Sequence, residues 1–171
     1  MILRQMVSNF HFETIETWPF SCFVICHRDN SKQENKMKAI PKLSKYMTTT
    51  PVAINSEATL EEARHVMESK KIRHLPVMKG GKVWGLISDR DIKSVFAYAG
   101  PNTNALHVGD VCTDQPYVTK PDALINEVAT EMAERKVGSA VVMDNGKLVG
   151  IFTATDACQA LSDICNGRFH A

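Results

Sequence analysis

Val83-Trp84-Gly85-Leu86-Ile87-Ser88-Asp89-Arg90-Asp91 reads as an apolar strand that runs without a spacer into the first turn of a helix. It returns as Leu148-Val149-Gly150-Ile151-Phe152-Thr153-Ala154-Thr155-Asp156. The offset is constant: Gly85 to Gly150, Asp91 to Asp156 and Pro51 to Pro116 are each separated by 65 positions. Met67/Met132, Lys71/Lys136, Val77/Val142 and Gly81/Gly146 are identical at the same offset. An ungapped internal repeat therefore organises the chain.

Both copies place a hydroxyl residue at the strand end and an aspartate three positions later, Ser88 with Asp91 and Thr153 with Asp156. One reading is a capping box, in which the hydroxyl accepts from an early helical N–H and the carboxylate reaches back to the cap residue. The other is a ligand site. A helix start attracts phosphate, and a carboxylate beside it accepts both hydroxyls of a ribose.

Working outward, Thr50-Pro51 precedes a short strand at Val52-Ala53-Ile54, and Thr59-Leu60-Glu61-Glu62 is a second capping-box pattern. Leu60, Ala63 and Met67 share a helical face, so a helix is expected to about Lys71. Leu75 to Met78 and Val83 to Ile87 are strands joined by a Gly80-Gly81 hairpin turn, and a helix follows from Asp89 to about Ala99. Residues 100–104 break that helix and form a linker. The second copy repeats the order with strand Tyr117-Val118-Thr119, a helix with Leu124, Val128 and Met132 inward, strand Ala140 to Met143, an Asn145-Gly146 turn, strand Leu148 to Phe152 and a helix to about Cys165.

One unit of this size buries too little surface to stand alone. The fold class is therefore mixed α/β: two β-α-β-β-α repeats packed sheet to sheet with pseudo-two-fold symmetry. Two equivalent clefts are expected where strand ends and helix starts converge.

Composition limits the function. The 171 residues are 44% hydrophobic and 23% charged, as in a globular protein, and the net charge of +1 disfavours nucleic-acid binding as the main role. Five irregularly spaced cysteines argue against a disulfide framework, and Cys22 to His27 lacks the spacing of a haem or zinc motif. The apolar run from Trp18 to Cys26 is too short to span a membrane. A cytoplasmic protein with no membrane role is expected. Residues 1–36 are read as an N-terminal extension, disordered or not native, with translation starting at Met37. The competing reading is a partner-binding tail using Trp18, Phe20 and Phe23.

From about Leu43 to Leu161 the chain resembles the cystathionine β-synthase (CBS) domain family, as a tandem pair with motifs at 37–101 and 102–171. Met47 to Pro51, His74-Leu75-Pro76-Val77 and Gly85 to Asp91 carry the likeness in the first copy. In the second, Thr113 to Pro116, Gly138 to Val142 and Gly150 to Asp156 carry it. The resemblance implies a regulatory module, not an enzyme, that binds AMP, ADP, ATP or S-adenosylmethionine between the copies and acts on an unidentified partner protein as a homodimer. It also implies that Asp91 and Asp156 hold ribose hydroxyls, that Ser88 and Thr153 contact ribose or phosphate, and that main chain near Val52 and Tyr117 faces the base. No cofactor or metal is implied. The alternative is a ligand-free dimerisation or interaction module in which the two hydroxyl–aspartate pairs are only helix caps.

The copies are unequal. Arg73, His74 and Arg90 stand where the second copy has Gly138, Ser139 and Thr155, so cations suited to phosphate lie mostly in copy one. Which cleft receives them is open, and the inequality favours one functional site over two. By residue type alone, a solvated strand start is the favoured reading of Arg73 and His74 over a ligand contact. His65 and His107 are expected at the surface without partners, and Cys112, Cys158 and Cys165 as core fillers.

Overall fold

The computed structural model describes residues 40–99 and 106–166. The extension over 1–36 and the linker at 100–104 lie outside them. Helix α1 spans Leu60–Lys70 and starts with the expected lock: the Glu62 N–H donates to Thr59 Oγ1 at 3.1 Å and the Thr59 N–H donates to the Glu62 carboxylate at 2.8 Å. Leu60, Ala63 and Met67 are buried on one face of it. Strands β3 (His74–Lys79) and β4 (Lys82–Ser88) form a hairpin through Gly80 and Gly81, whose φ angles of +58° and +77° suit the twist of a two-residue turn. Helix α2 (Asp89–Ala99) follows β4 directly.

The second copy has the same plan. A four-residue helix α3 (Val108–Val111) leads to α4 (Ile125–Glu134), the hairpin β6 (Ser139–Asp144) and β7 (Lys147–Thr153), and α5 (Ala154–Cys165). Its turn uses Asn145 and Gly146 at φ +47° and +76°. Short strands complete the sheets: β1 (Thr48–Thr49), β2 (Ile54–Asn55) and β5 (Val118–Thr119).

Two expectations shift. The first short strand is Ile54–Asn55, not Val52 to Ile54, because pairing with β3 begins only at Ile54 opposite Val77. Val52 is left 39% exposed ahead of the ladder. In α4 the buried stripe is Ile125, Val128 and Met132, while Leu124 caps the helix and bridges Lys42.

The chain thus forms a mixed α/β fold with two sheets, in the orders β2-β3-β4 and β1-β7-β6-β5. The second order contains an exchange. Strand β1 belongs to copy one by sequence, yet it pairs antiparallel with β7, Thr48 opposite Ile151. Its equivalent returns the exchange as a single bridge between Leu86 and Thr113. The cores are exchanged too. Leu43, fully buried, packs with Ile125, Val128, Met132 and Phe152 of copy two, while Val108, also fully buried, packs with Leu60, Leu75, Val77 and Ile87 of copy one. Matching backbone bonds hold both inserts, Leu43 N–H to the Ala123 carbonyl and Val108 N–H to the Ala58 carbonyl, each 2.8 Å. Full burial of such a side chain stabilises by about 1.5–3 kcal/mol, so each sheet depends on a residue from the other copy.

Gly85 and Gly150 permit the crossing. A Cβ on Gly85 would stand 2.5 Å from the Thr113 carbonyl oxygen and 2.8 Å from Cys112 Sγ. One on Gly150 would stand 2.7 Å from Met47 Sδ and 3.1 Å from the Thr48 carbonyl oxygen. The strand–helix stretch therefore needs glycine because exchanged backbone lies against it.

Candidate functional site

Both hydroxyl–aspartate pairs close as helix caps. In the first, Asp91 Oδ2 accepts from the Ser88 N–H at 2.9 Å and from Ser88 Oγ at 2.6 Å, and the Asp91 N–H donates back to Ser88 Oγ at 3.3 Å. In the second, Asp156 Oδ2 accepts from the Thr153 N–H and Oγ1, both at 2.8 Å, and the return bond is 3.4 Å. The capping reading is therefore correct as far as it goes. In each case Oδ2 takes both contacts, and Oδ1 accepts no hydrogen bond among the described residues. A carboxylate has lone pairs on both oxygens, so one edge locks the helix start and the other can meet a ligand.

Each aspartate borders a cleft built from both copies. Cleft one, about 300 Å³, takes Thr48, Thr50, Pro51 and Val52 from the segment around β1, and Lys71, Ile72, Arg73 and His74 from the α1–β3 junction. Its far side is Ile151, Thr153, Thr155 and Asp156 of copy two. Cleft two, about 570 Å³, takes Thr113, Gln115, Pro116 and Tyr117, then Lys136, Val137, Gly138 and Ser139, against Leu86, Ser88, Arg90 and Asp91 of copy one. Every lining position of cleft one has its partner in cleft two at the offset of 65. The internal symmetry of the sequence is thus a symmetry of cavities.

All nine residues singled out from the sequence line a cleft. Val52 and Asp156 line cleft one, Ser88, Arg90, Asp91 and Tyr117 line cleft two, and Arg73, His74 and Thr153 line both. Thr155 also borders both clefts. Arg73 Nη2 donates to Thr155 Oγ1 at 3.3 Å, and His74 Nε2 lies 3.2 Å from where a Cβ on Gly138 would stand. Arg73 and His74 thus reach into the gap their shorter counterparts leave. Burial, then the neighbouring Arg73 charge, lowers the His74 pKa below its ordinary 6.5, against smaller raising contributions from Asp91 and Asp89 and a further lowering from Arg90.

Among the cleft residues outside those nine, three bear on charge and hydrogen bonding. Lys71 and Lys136 end α1 and α4 in the left-handed region, both at φ +55°, where glycine or asparagine is the ordinary choice. The third is Ser139. It is 2% exposed, it lines cleft two, and its Oγ has no hydrogen-bond partner among the described residues. It is the counterpart of His74 at the offset of 65, a position that the sequence marks only as the place of a missing cation. His107 departs from expectation in another way: it is exposed, but its Nδ1 lies 2.8 Å from the Glu57 carbonyl oxygen, a contact across the copies that local spacing does not reveal. Cys158 and Cys165 are exposed rather than core fillers, because α5 turns its outer face to solvent there, and Cys112 is half-buried.

Among the described residues no group of three or more His, Cys, Asp or Glu is arranged to hold a metal. No helix there is long and apolar enough to cross a membrane.

Comparison with known proteins follows the same division. A family model described as CBS domain matches residues 43–98 and again 108–163. An inosine-5′-monophosphate dehydrogenase of Korarchaeum cryptofilum (strain OPF8) is 33% identical over 135 residues, which are 77% of this chain and 27% of that protein. The chain therefore spans about a quarter of that relative. Two solved structures share the fold. One is the CBS domain pair of protein MJ0100 in complex with 5′-methylthioadenosine and S-adenosyl-L-methionine, at TM-score 0.65 and 23% identity over 76% of this chain and 99% of that one. The other is CBSX2 in complex with AMP, at TM-score 0.63 and 24% identity over 72% and 98%.

Proposed function

The chain belongs to the CBS domain family as a tandem pair, and from that premise we propose that it binds an adenosine-containing ligand between its two copies and thereby regulates a partner protein. The observation that carries this reading is the pair of aspartates, Asp91 and Asp156, each with one carboxylate oxygen locked in a helix cap and the other without a donor among the described residues, each bordering a cleft. An acceptor-only edge with a helix start beside it suits the two hydroxyls of a ribose and the phosphate beyond them. Val52 and Tyr117 supply the apolar side expected of a pocket for a flat ring. AMP, ADP, ATP and S-adenosylmethionine are the ligands to test. The role is binding and not catalysis. A homodimer in the cytoplasm is the assembly and setting in keeping with it.

A second reading has its own support. Both capping boxes are complete without a ligand, as they would be in a module that only holds proteins together. Sugar preference separates the two. An adenine ribonucleotide is expected to bind about ten- to a hundredfold more tightly than its 2′-deoxy form, since a hydrogen bond to a charged group is worth about 1.5–3 kcal/mol. Asp91→Ala or Asp156→Ala should remove that preference at its own cleft. Loss of a cap alone costs about 1 kcal/mol of stability and does not discriminate between sugars. Calorimetric titration checks both, and no binding tighter than about 1 mM to the wild-type chain would leave the interaction module as the function.

A further inference from the structure

We propose that the two clefts take different ligands: cleft two holds a phosphorylated adenine nucleotide, and cleft one holds an unphosphorylated ribonucleoside, so that one chain binds one phosphate ester. This rests on the adenosine-ligand reading above and adds which chemistry goes where.

Three independent features point the same way. The first is charge. Each cleft has one lysine at the same left-handed position, Lys71 or Lys136. Each has one ribose-type aspartate, Asp156 or Asp91. Arg73 and His74 border both. The remaining charged groups, Arg90 and Asp89, are both in cleft two. Asp89 is already neutralised, its Oδ2 lying 2.6 Å from Lys93 Nζ. Arg90 has no carboxylate partner among the described residues. Cleft two therefore has an uncompensated guanidinium where cleft one has the hydroxyl of Thr155, and a guanidinium fork matches phosphate geometry.

The second feature is Ser139. A hydroxyl buried to this degree without a partner among the described residues is costly unless something supplies one, and the residue that carries it lines cleft two. Cleft one has the His74 ring at that register, and burial together with the neighbouring Arg73 charge disfavours the charged form of that ring. The third is room. Cleft two is about 570 Å³ against about 300 Å³.

Arg73 makes the division exclusive. It hydrogen-bonds Thr155 at 3.3 Å and borders both clefts, so one guanidinium serves one phosphate at a time. With Arg90 already there, cleft two is where Arg73 completes a phosphate site.

The test is calorimetry on the full chain with AMP and adenosine. AMP should bind once per chain, about tenfold more tightly than adenosine, and adenosine should still bind to the AMP-saturated protein. Arg90→Gln should weaken AMP about tenfold and change adenosine less than threefold, with an unchanged melting temperature because Arg90 is exposed. Ser139→Ala should weaken AMP severalfold without lowering stability, since it removes an unsatisfied buried hydroxyl. Asp156→Ala should remove the second, adenosine-binding event. Two equal AMP sites per chain, or equal losses of AMP and adenosine in Arg90→Gln, would overturn the assignment while leaving the adenosine reading intact. Failure of the wild-type chain to bind either compound would take down both.

Discussion

Clefts one and two are assembled from the same register positions of the same repeat, and they differ where one side chain was exchanged for another of different charge or length. Threonine replaces arginine at one position, glycine replaces arginine at a second, and serine replaces histidine at a third. The shared features, an aspartate locked by one edge and a left-handed lysine, are those that the backbone imposes on both copies. The unshared features are side chains at cleft walls, where substitution costs the fold little. Duplication thus supplies two frames, and wall residues make them unequal.

The same comparison applies to the cores, and the largest expected effects lie there. Leu43→Ala should destabilise by about 2–5 kcal/mol, and Val108→Ala by less because fewer methyl groups are lost. The sharper readout is location. Hydrogen exchange should accelerate first in β6 and β7 for Leu43→Ala, and in β3 and β4 for Val108→Ala. Loosening of each variant's own copy instead would show that the exchanged packing does not operate in solution.

The glycines come next. Gly85→Ala should cost about 1–3 kcal/mol and Gly150→Ala distinctly less. At Gly85 the obstacle at 2.5 Å is a backbone carbonyl, whereas at Gly150 the nearest atom is the thioether of Met47, which can swing away. Equal melting temperatures for the two variants would contradict the tighter crossing at Gly85.

The smallest effect concerns His74, which has no histidine counterpart in copy two. Its folded-state pKa is depressed, so the unfolded chain binds the proton more readily, and stability is fully present above the ordinary value of 6.5 and lost as pH falls through the folded-state pKa. Melting curves from about pH 8 to pH 5 should show a loss in the wild-type chain that is reduced in His74→Gln. Parallel curves would mean that other groups carry the pH dependence.

Much of this is legible in the sequence alone. Strand–helix periodicity located both hairpins and all four long helices, because apolar spacing and turn residues are local signals. Thr59 with Glu62, and the two hydroxyl–aspartate pairs, were readable as caps for the same reason. Arg73, Arg90 and His74 stood out by comparing one copy with the other. Less legible were the small shifts at Leu124 and Val52, where a bridge and a late-starting ladder overrode the pattern.

The sequence by itself determined that there are two copies in register, that each is a β-α-β-β-α unit, and that each carries an aspartate at a helix start with unequal cations nearby. A repeat and its periodicity are written in neighbouring residues. Only the tertiary structure decided that Leu43 finishes the core of copy two and Val108 that of copy one, that Arg73 and His74 stand on a wall common to both clefts, and that Arg90 faces the cleft containing Ser139. Those facts depend on which copy's backbone lies against which, and an apolar residue signals that it will be buried without signalling by what.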